Sequence, residues 1–176
     1  MFRAILKRIV PLPKLTSYER YLFVGPHPDD IETACAPTVK TLTDAGRHVD
    51  FVVVTDGRMG SFDPALCGEP LVAIRQKEAR ASAALLGVTS VTFLPFHDGG
   101  MYPVEEAACA IAKEIVRLKP QVVFAPDPDV ISECHADHVK TGLAAKMAAV
   151  MAPFASVMES VGASGSQPLE ALAFYY

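Results

Sequence analysis

Four short apolar runs divide this chain, and each leads into a longer segment with helical spacing. Leu22–Gly25, Val49–Val54, Val91–Leu94 and Gln121–Ala125 read as strands, bounded by turn residues and rich in β-branched or aromatic side chains. Asp30–Ala45, Pro70–Leu86, Pro103–Leu118 and His138–Met151 read as the helices that follow them. The helix ends are marked. Asp30 and Glu32 suit the positive end of a helix dipole, Gly46 and Gly87 suit stops, and Lys119-Pro120 ends the third helix. A strand reaches a parallel neighbour only by a crossover, so this alternation predicts a parallel sheet. The expected fold class is α/β: a Rossmann-like, doubly wound, mainly parallel sheet with helices on both faces. Leu172–Tyr176 reads as one further strand.

The chain has 176 residues, enough for one domain with a sizeable core. Hydrophobic residues make up 51% and charged residues 20%, which excludes a disordered chain or a coiled coil. Residues 1–20 read as an N-terminal arm. Phe2, Ile5, Leu6 and Ile9 recur at helical spacing between Arg3, Lys7 and Arg8, and Pro11 and Pro13 end any helix there. The arm is expected to pack on the domain or on a neighbouring subunit of a homo-oligomer, with membrane-surface contact the minority reading. Residues 21–176 form the expected single domain, with Gly162–Gln167 a small-residue linker. The terminal Ala-Leu-Ala-Phe-Tyr-Tyr reads either as an edge strand or as the point where a C-terminal part is lacking.

The formal net charge of −4 gives no reason to expect a nucleic-acid partner. No apolar run reaches the roughly 18–20 residues of a membrane span, and Lys7 and Arg8 interrupt any secretory signal core. Cys35, Cys67, Cys109 and Cys134 form no CxxC pair, which suits reduced thiols in the cytoplasm. The first strand is not followed by GxGxxG, which disfavours a dinucleotide site.

Two polar clusters carry the chemistry. Gly25-Pro26-His27-Pro28-Asp29-Asp30 follows the first strand directly, and His135-Ala136-Asp137-His138 follows the fourth across a short loop. Both therefore fall at C-terminal strand ends, where open α/β sheets bind ligands. Together they offer three imidazoles and three carboxylates. A catalytic zinc takes three protein ligands from this set, so two His and one Asp would suffice, leaving other groups for proton transfer. Asp29 and Asp30 are adjacent and point apart, so one can bind metal while the other faces the attacking water. His135 and His138, three apart at a helix start, share a face. Either cluster alone could be a helix cap; two of them at one sheet edge argue for a shared metal site.

The Pro-His-Pro-Asp-Asp run with Glu32, and the later His-x-Asp-His, resemble the LmbE / PIG-L family of zinc-dependent N-acetylglucosaminyl deacetylases. The resemblance runs in order from about Tyr21 to Met151. It includes Thr55-Asp56-Gly57 with Gly60, Arg75-x-x-Glu78, Leu86-Gly87-Val88 and Asp98-Gly99. It implies that His27, Asp30 and His138 hold the metal and that Asp29 is the general base on the water there. It implies further that His135 protonates the leaving amine or steadies the oxyanion, oriented by Asp137, and that Arg75 and Asp98 contact substrate. Two departures stand out: the first motif reads HPDDIE, with its acidic residue one place late at Glu32, and Glu133-Cys134 precedes the second.

The function so implied is a zinc-dependent N-deacetylase. It would remove an acetyl group from an N-acetyl amide on an N-acetylglucosamine-type sugar or conjugate, a small-molecule substrate. Zn2+ is the expected cofactor, and Fe2+ suits the same ligands, so a two-His one-carboxylate iron oxygenase is a competing reading. A second alternative is a non-catalytic, metal-stabilised module that binds a sugar or a partner; such a module has no need of a base at Asp29. An i,i+3 salt bridge between Arg75 and Glu78 is as plausible from spacing as substrate binding by Arg75.

Overall fold

The computed structural model describes residues 14–163 and 172–176. The arm over residues 1–13 and most of the expected linker, residues 164–167, lie outside the described residues.

After a 3-10 turn at Leu15–Ser17, the described elements are β1 (Arg20–Gly25), α1 (Asp30–Asp44), β2 (His48–Thr55), α2 (Glu69–Leu86) and β3 (Ser90–Phe96). Then follow α3 (Val104–Leu118), β4 (Val122–Phe124), α4 (Ala136–Met151), α5 (Ala155–Ser160) and β5 (Ala173–Tyr175). All five strands pair in parallel, in the order β3-β2-β1-β4-β5. The short α5 was not anticipated: it is six residues long, too short for a periodic signal. Helix α4 begins two residues before its expected start, because His135 serves as its N-cap.

Alternation along the strands splits the core into two layers. Leu22, Val24, Val52, Val54, Leu94 and Val123 face one side, against Ile111 and Ile115 of α3 and the alanines of α4. Tyr21, Phe23, Val49, Phe51, Val53 and Val122 face the other, against Ile31, Val39 and Leu42 of α1 and Ala83 of α2. The sheet is thus covered on both faces, as its unbroken apolar strands require. Small residues let α4, in the first of these layers, approach closely. A Cβ on Gly142 of α4 would stand 2.3 Å from the carbonyl oxygen of Pro126, so only glycine lets α4 dock against the loop after β4. Among the described residues, no helix is long and apolar enough to cross a membrane.

The chain moves outward from β1 through β2 to β3, then returns to place β4 on the other side of β1. The switch point therefore lies between β1 and β4. The turn at residues 26–30 and the loop at 125–135 leave the sheet side by side there, which brings the two polar clusters together.

Candidate metal and active site

The first cluster is shaped by its own turn. The Pro26 carbonyl accepts both the Thr55 amide (2.9 Å) and the Thr55 hydroxyl (2.7 Å), tying the turn to the end of β2. Asp30 Oδ2 accepts the His27 amide at 3.0 Å and lies 2.9 Å from His27 Nδ1, so the carboxylate folds back over its own turn. Asp29, at the N-cap of α1, has φ of 137° and makes no side-chain cap bond. That backbone conformation is strained for a residue with a Cβ and persists only where surroundings enforce it. It turns the Asp29 carboxylate outward, 60% exposed, onto Arg75 Nη2 at 2.7 Å. The same guanidinium donates to the Pro28 carbonyl. Arg75 thus pairs with Asp29, and the spacing-based bridge to Glu78 is not among the described ion pairs.

The second cluster depends on distant chain. Asp137 is fully buried. Its carboxylate accepts the amides of Gly99 (2.8 Å) and Gly100 (2.7 Å) and meets His27 Nε2 at 3.0 Å. Both glycines have positive φ, 101° and 71°, which aims two successive N–H groups at one anion. A Cβ on Gly100 would also come within 2.7 Å of the Ala136 Cβ. Lys140 fastens this loop by donating to the carbonyls of Gly100 and of Tyr102 (2.9 Å).

The three imidazoles meet, with ring centres 4.8 Å apart for His27 and His135, 4.9 Å for His135 and His138, and 5.4 Å for His27 and His138. His27, Asp30 and His138 present donor atoms within 4.8 Å of one another, and His138 Nε2 lies 3.5 Å from Asp30 Oδ2. Two neutral imidazole nitrogens and one carboxylate suit a divalent ion such as zinc, so these residues fit the metal site expected of them. A second trio, His27, His135 and Asp137, is equally close. There, however, the Asp137 carboxylate is already taken up by two amides and His27.

The orientation of His135 differs from expectation. Its Nδ1 lies 3.9 Å from the Asp137 carboxylate, beyond hydrogen-bond reach. It accepts the backbone N–H of Asp137 instead, at 3.3 Å, as the N-cap of α4. The buried carboxylate turns to His27 because amides and an imidazole satisfy it there, away from the half-exposed His135. Asp98 accepts the Met59 amide (3.0 Å), joining the β2 and β3 loops. With Arg75, Asp29, His27 and His135 it lines a cleft of about 250 Å³.

Charge follows this wiring. Burial disfavours the His27 imidazolium, but hydrogen bonds to Asp30 and Asp137 outweigh it and raise the pKa. Asp30 is held low by His27 against the opposing effect of burial. Glu133 was noted in the sequence only as a departure. Its carboxylate accepts the His135 amide (2.7 Å) and meets His138 Nδ1 (2.9 Å), and these contacts hold it below its ordinary value. His97 pairs with Asp56 at 2.9 Å, where Arg58 also binds.

Residues 22–149 match the family described as PIG-L: GlcNAc-PI de-N-acetylase. The chain is 33% identical over 160 residues to a diacetylchitobiose deacetylase of Thermococcus kodakarensis, covering 90% of this chain and 60% of that one. The structure superposes on N,N'-diacetylchitobiose deacetylase from Pyrococcus horikoshii with a TM-score of 0.89 and 32% identity, over 99% of this chain and 66% of that one. The 4-carboxy-2-hydroxymuconate hydratase GalB of Pseudomonas putida KT2440 shares the fold alone: TM-score 0.72, 22% identity, 89% of this chain and 64% of that one. The chain therefore spans about two thirds or less of the length of these relatives. With the match extending from β1 through nearly all of α4, the chain belongs to the PIG-L (LmbE) family.

Proposed function

We propose that this protein is a metal-dependent N-deacetylase that hydrolyses the acetamide of an N-acetylglucosamine-type sugar or conjugate. One observation carries this reading: a two-His one-Asp trio stands beside a separate, outward-facing carboxylate, Asp29, on the wall of a cleft. A binding module needs the trio but not the base. The deacetylase relatives support the amide as substrate.

An amide carbonyl is a poor electrophile and water a poor nucleophile. A divalent ion held by His27, Asp30 and His138 would supply a Lewis acid that improves both. We take that ion to be zinc; iron(II) is the alternative that metal analysis of protein purified without chelators would separate. Asp29, exposed to the cleft and held by Arg75, takes the proton of the attacking water. His135 accepts the Asp137 amide through Nδ1, which leaves Nε2 as its donor toward the cleft. That edge steadies the developing oxyanion and delivers the proton to the leaving nitrogen. Asp137 holds His27 in place and carries no proton in this scheme. Arg75 and Asp98, both in the lining of the cleft, contact the sugar.

We take residues 21–176 as one catalytic domain acting on a small molecule in the cytoplasm, a setting that the four free cysteines suit. The test is release of acetate from a panel of N-acetylated sugars, with and without chelator. Chelator-sensitive release is expected. Release that ignores the chelator, or none from any amide, overturns the reading.

A further inference from the structure

We infer that Glu133 is a positioning residue for His138, fixing which imidazole nitrogen faces the metal site. The inference rests on the metal-centre reading above and concerns a residue that the proposed chemistry does not use.

Glu133 divides its two oxygens. Oε1 accepts the His135 amide at 2.7 Å, and Oε2 meets His138 Nδ1 at 2.9 Å. An ionised carboxylate only accepts, so the hydrogen of a neutral His138 must sit on Nδ1. The bare Nε2 then faces Asp30, 3.5 Å away. A carboxylate behind a ligating histidine sets tautomer and ring orientation together. Asp137 stands behind His27 in the same way, so each imidazole of the trio has its own carboxylate. A role in shaping the loop before α4 would explain the Oε1 contact and leave the Oε2 contact without purpose. Both contacts need an acceptor. Glutamine offers one oxygen, and its NH2 would face the second donor.

The probe is Zn2+, with Fe2+ in a parallel series, titrated in competition with a chelating indicator. The proteins are the unsubstituted chain, Glu133→Gln, Glu133→Ala, His138→Ala, and Asp129→Asn, an exposed carboxylate on the same loop. Glu133→Gln and Glu133→Ala should weaken metal binding by about 10–100-fold, and Asp129→Asn should not. In chelator-stripped protein, 15N spectra should show His138 protonated on Nδ1, and Glu133→Gln should move that population toward the other tautomer. Unchanged affinity in both Glu133 variants, with loss in His138→Ala, overturns the inference and leaves the metal centre standing. An unchanged tautomer with lowered thermal stability assigns Glu133 to the loop alone and also overturns it. If the unsubstituted chain takes up neither ion, the metal-centre reading falls and the inference with it.

Discussion

The turn after β1 and the start of α4 each carry an aspartate beside His27, yet the two carboxylates are held in opposite ways. Asp29 is 60% exposed, strained in its backbone, and held by one guanidinium. Asp137 is fully buried and held by two glycine amides and an imidazole. A carboxylate with an exchangeable partner at the mouth of a cleft can take up a proton during turnover. A buried carboxylate held by three donors is suited to holding a ligand still. In the proposed mechanism the chemistry falls to Asp29 and the architecture to Asp137.

Substitution separates the two most sharply. Asp29→Ala should lower kcat by about 10²–10⁴-fold, as expected for loss of a general base, while metal content and thermal stability stay near those of the unsubstituted chain. If Asp29→Ala loses metal as readily as His27→Ala, the division of labour is broken. Asp137→Ala should instead strand buried donors on Gly99, Gly100 and His27 and cost about 3–5 kcal/mol. Denaturant unfolding measures this; a loss below about 1 kcal/mol would deny Asp137 its architectural part.

Gly100→Ala tests the loop that feeds Asp137. It forces a Cβ onto a φ of 71° and into Ala136, and should cost about 1–3 kcal/mol in the same assay. The smallest effect concerns a third carboxylate, Asp56 at the end of β2. Burial opposes its charge, but hydrogen bonds from Arg58 and His97 outweigh this and lower its folded pKa below the ordinary 3.8. Its contribution to stability is therefore present above that value and lost as pH falls through the lower folded one. Asp56→Asn should flatten the acid limb of a stability–pH profile below about pH 4 and leave neutral activity largely intact.

Much of this was legible in the residues. Helices α1, α2 and α3 and strands β1 to β4 lie within three residues of their expected bounds, because apolar periodicity and Gly or Pro stops are local signals. The trio His27, Asp30 and His138 was nameable from two motifs and a resemblance, and topology brings its members together. The partners of these side chains were not legible. Nothing in His135-Ala136-Asp137-His138 says that Asp137 will turn from His135 to His27, or that amides about 38 residues upstream will meet it. The pairing of Arg75 with Asp29 defeats the helix-spacing argument for Glu78, because a strained turn presents a closer anion. Glu133 carried one faint signal, an acid two residues before His135.

The sequence by itself determined a doubly wound α/β sheet and the residue types gathered at two of its strand ends, since element type and turn chemistry follow from local patterning. Only the tertiary structure decided which carboxylate serves which imidazole. That choice depends on a few ångströms between loops far apart in the chain, and on which carboxylates burial obliges to find donors.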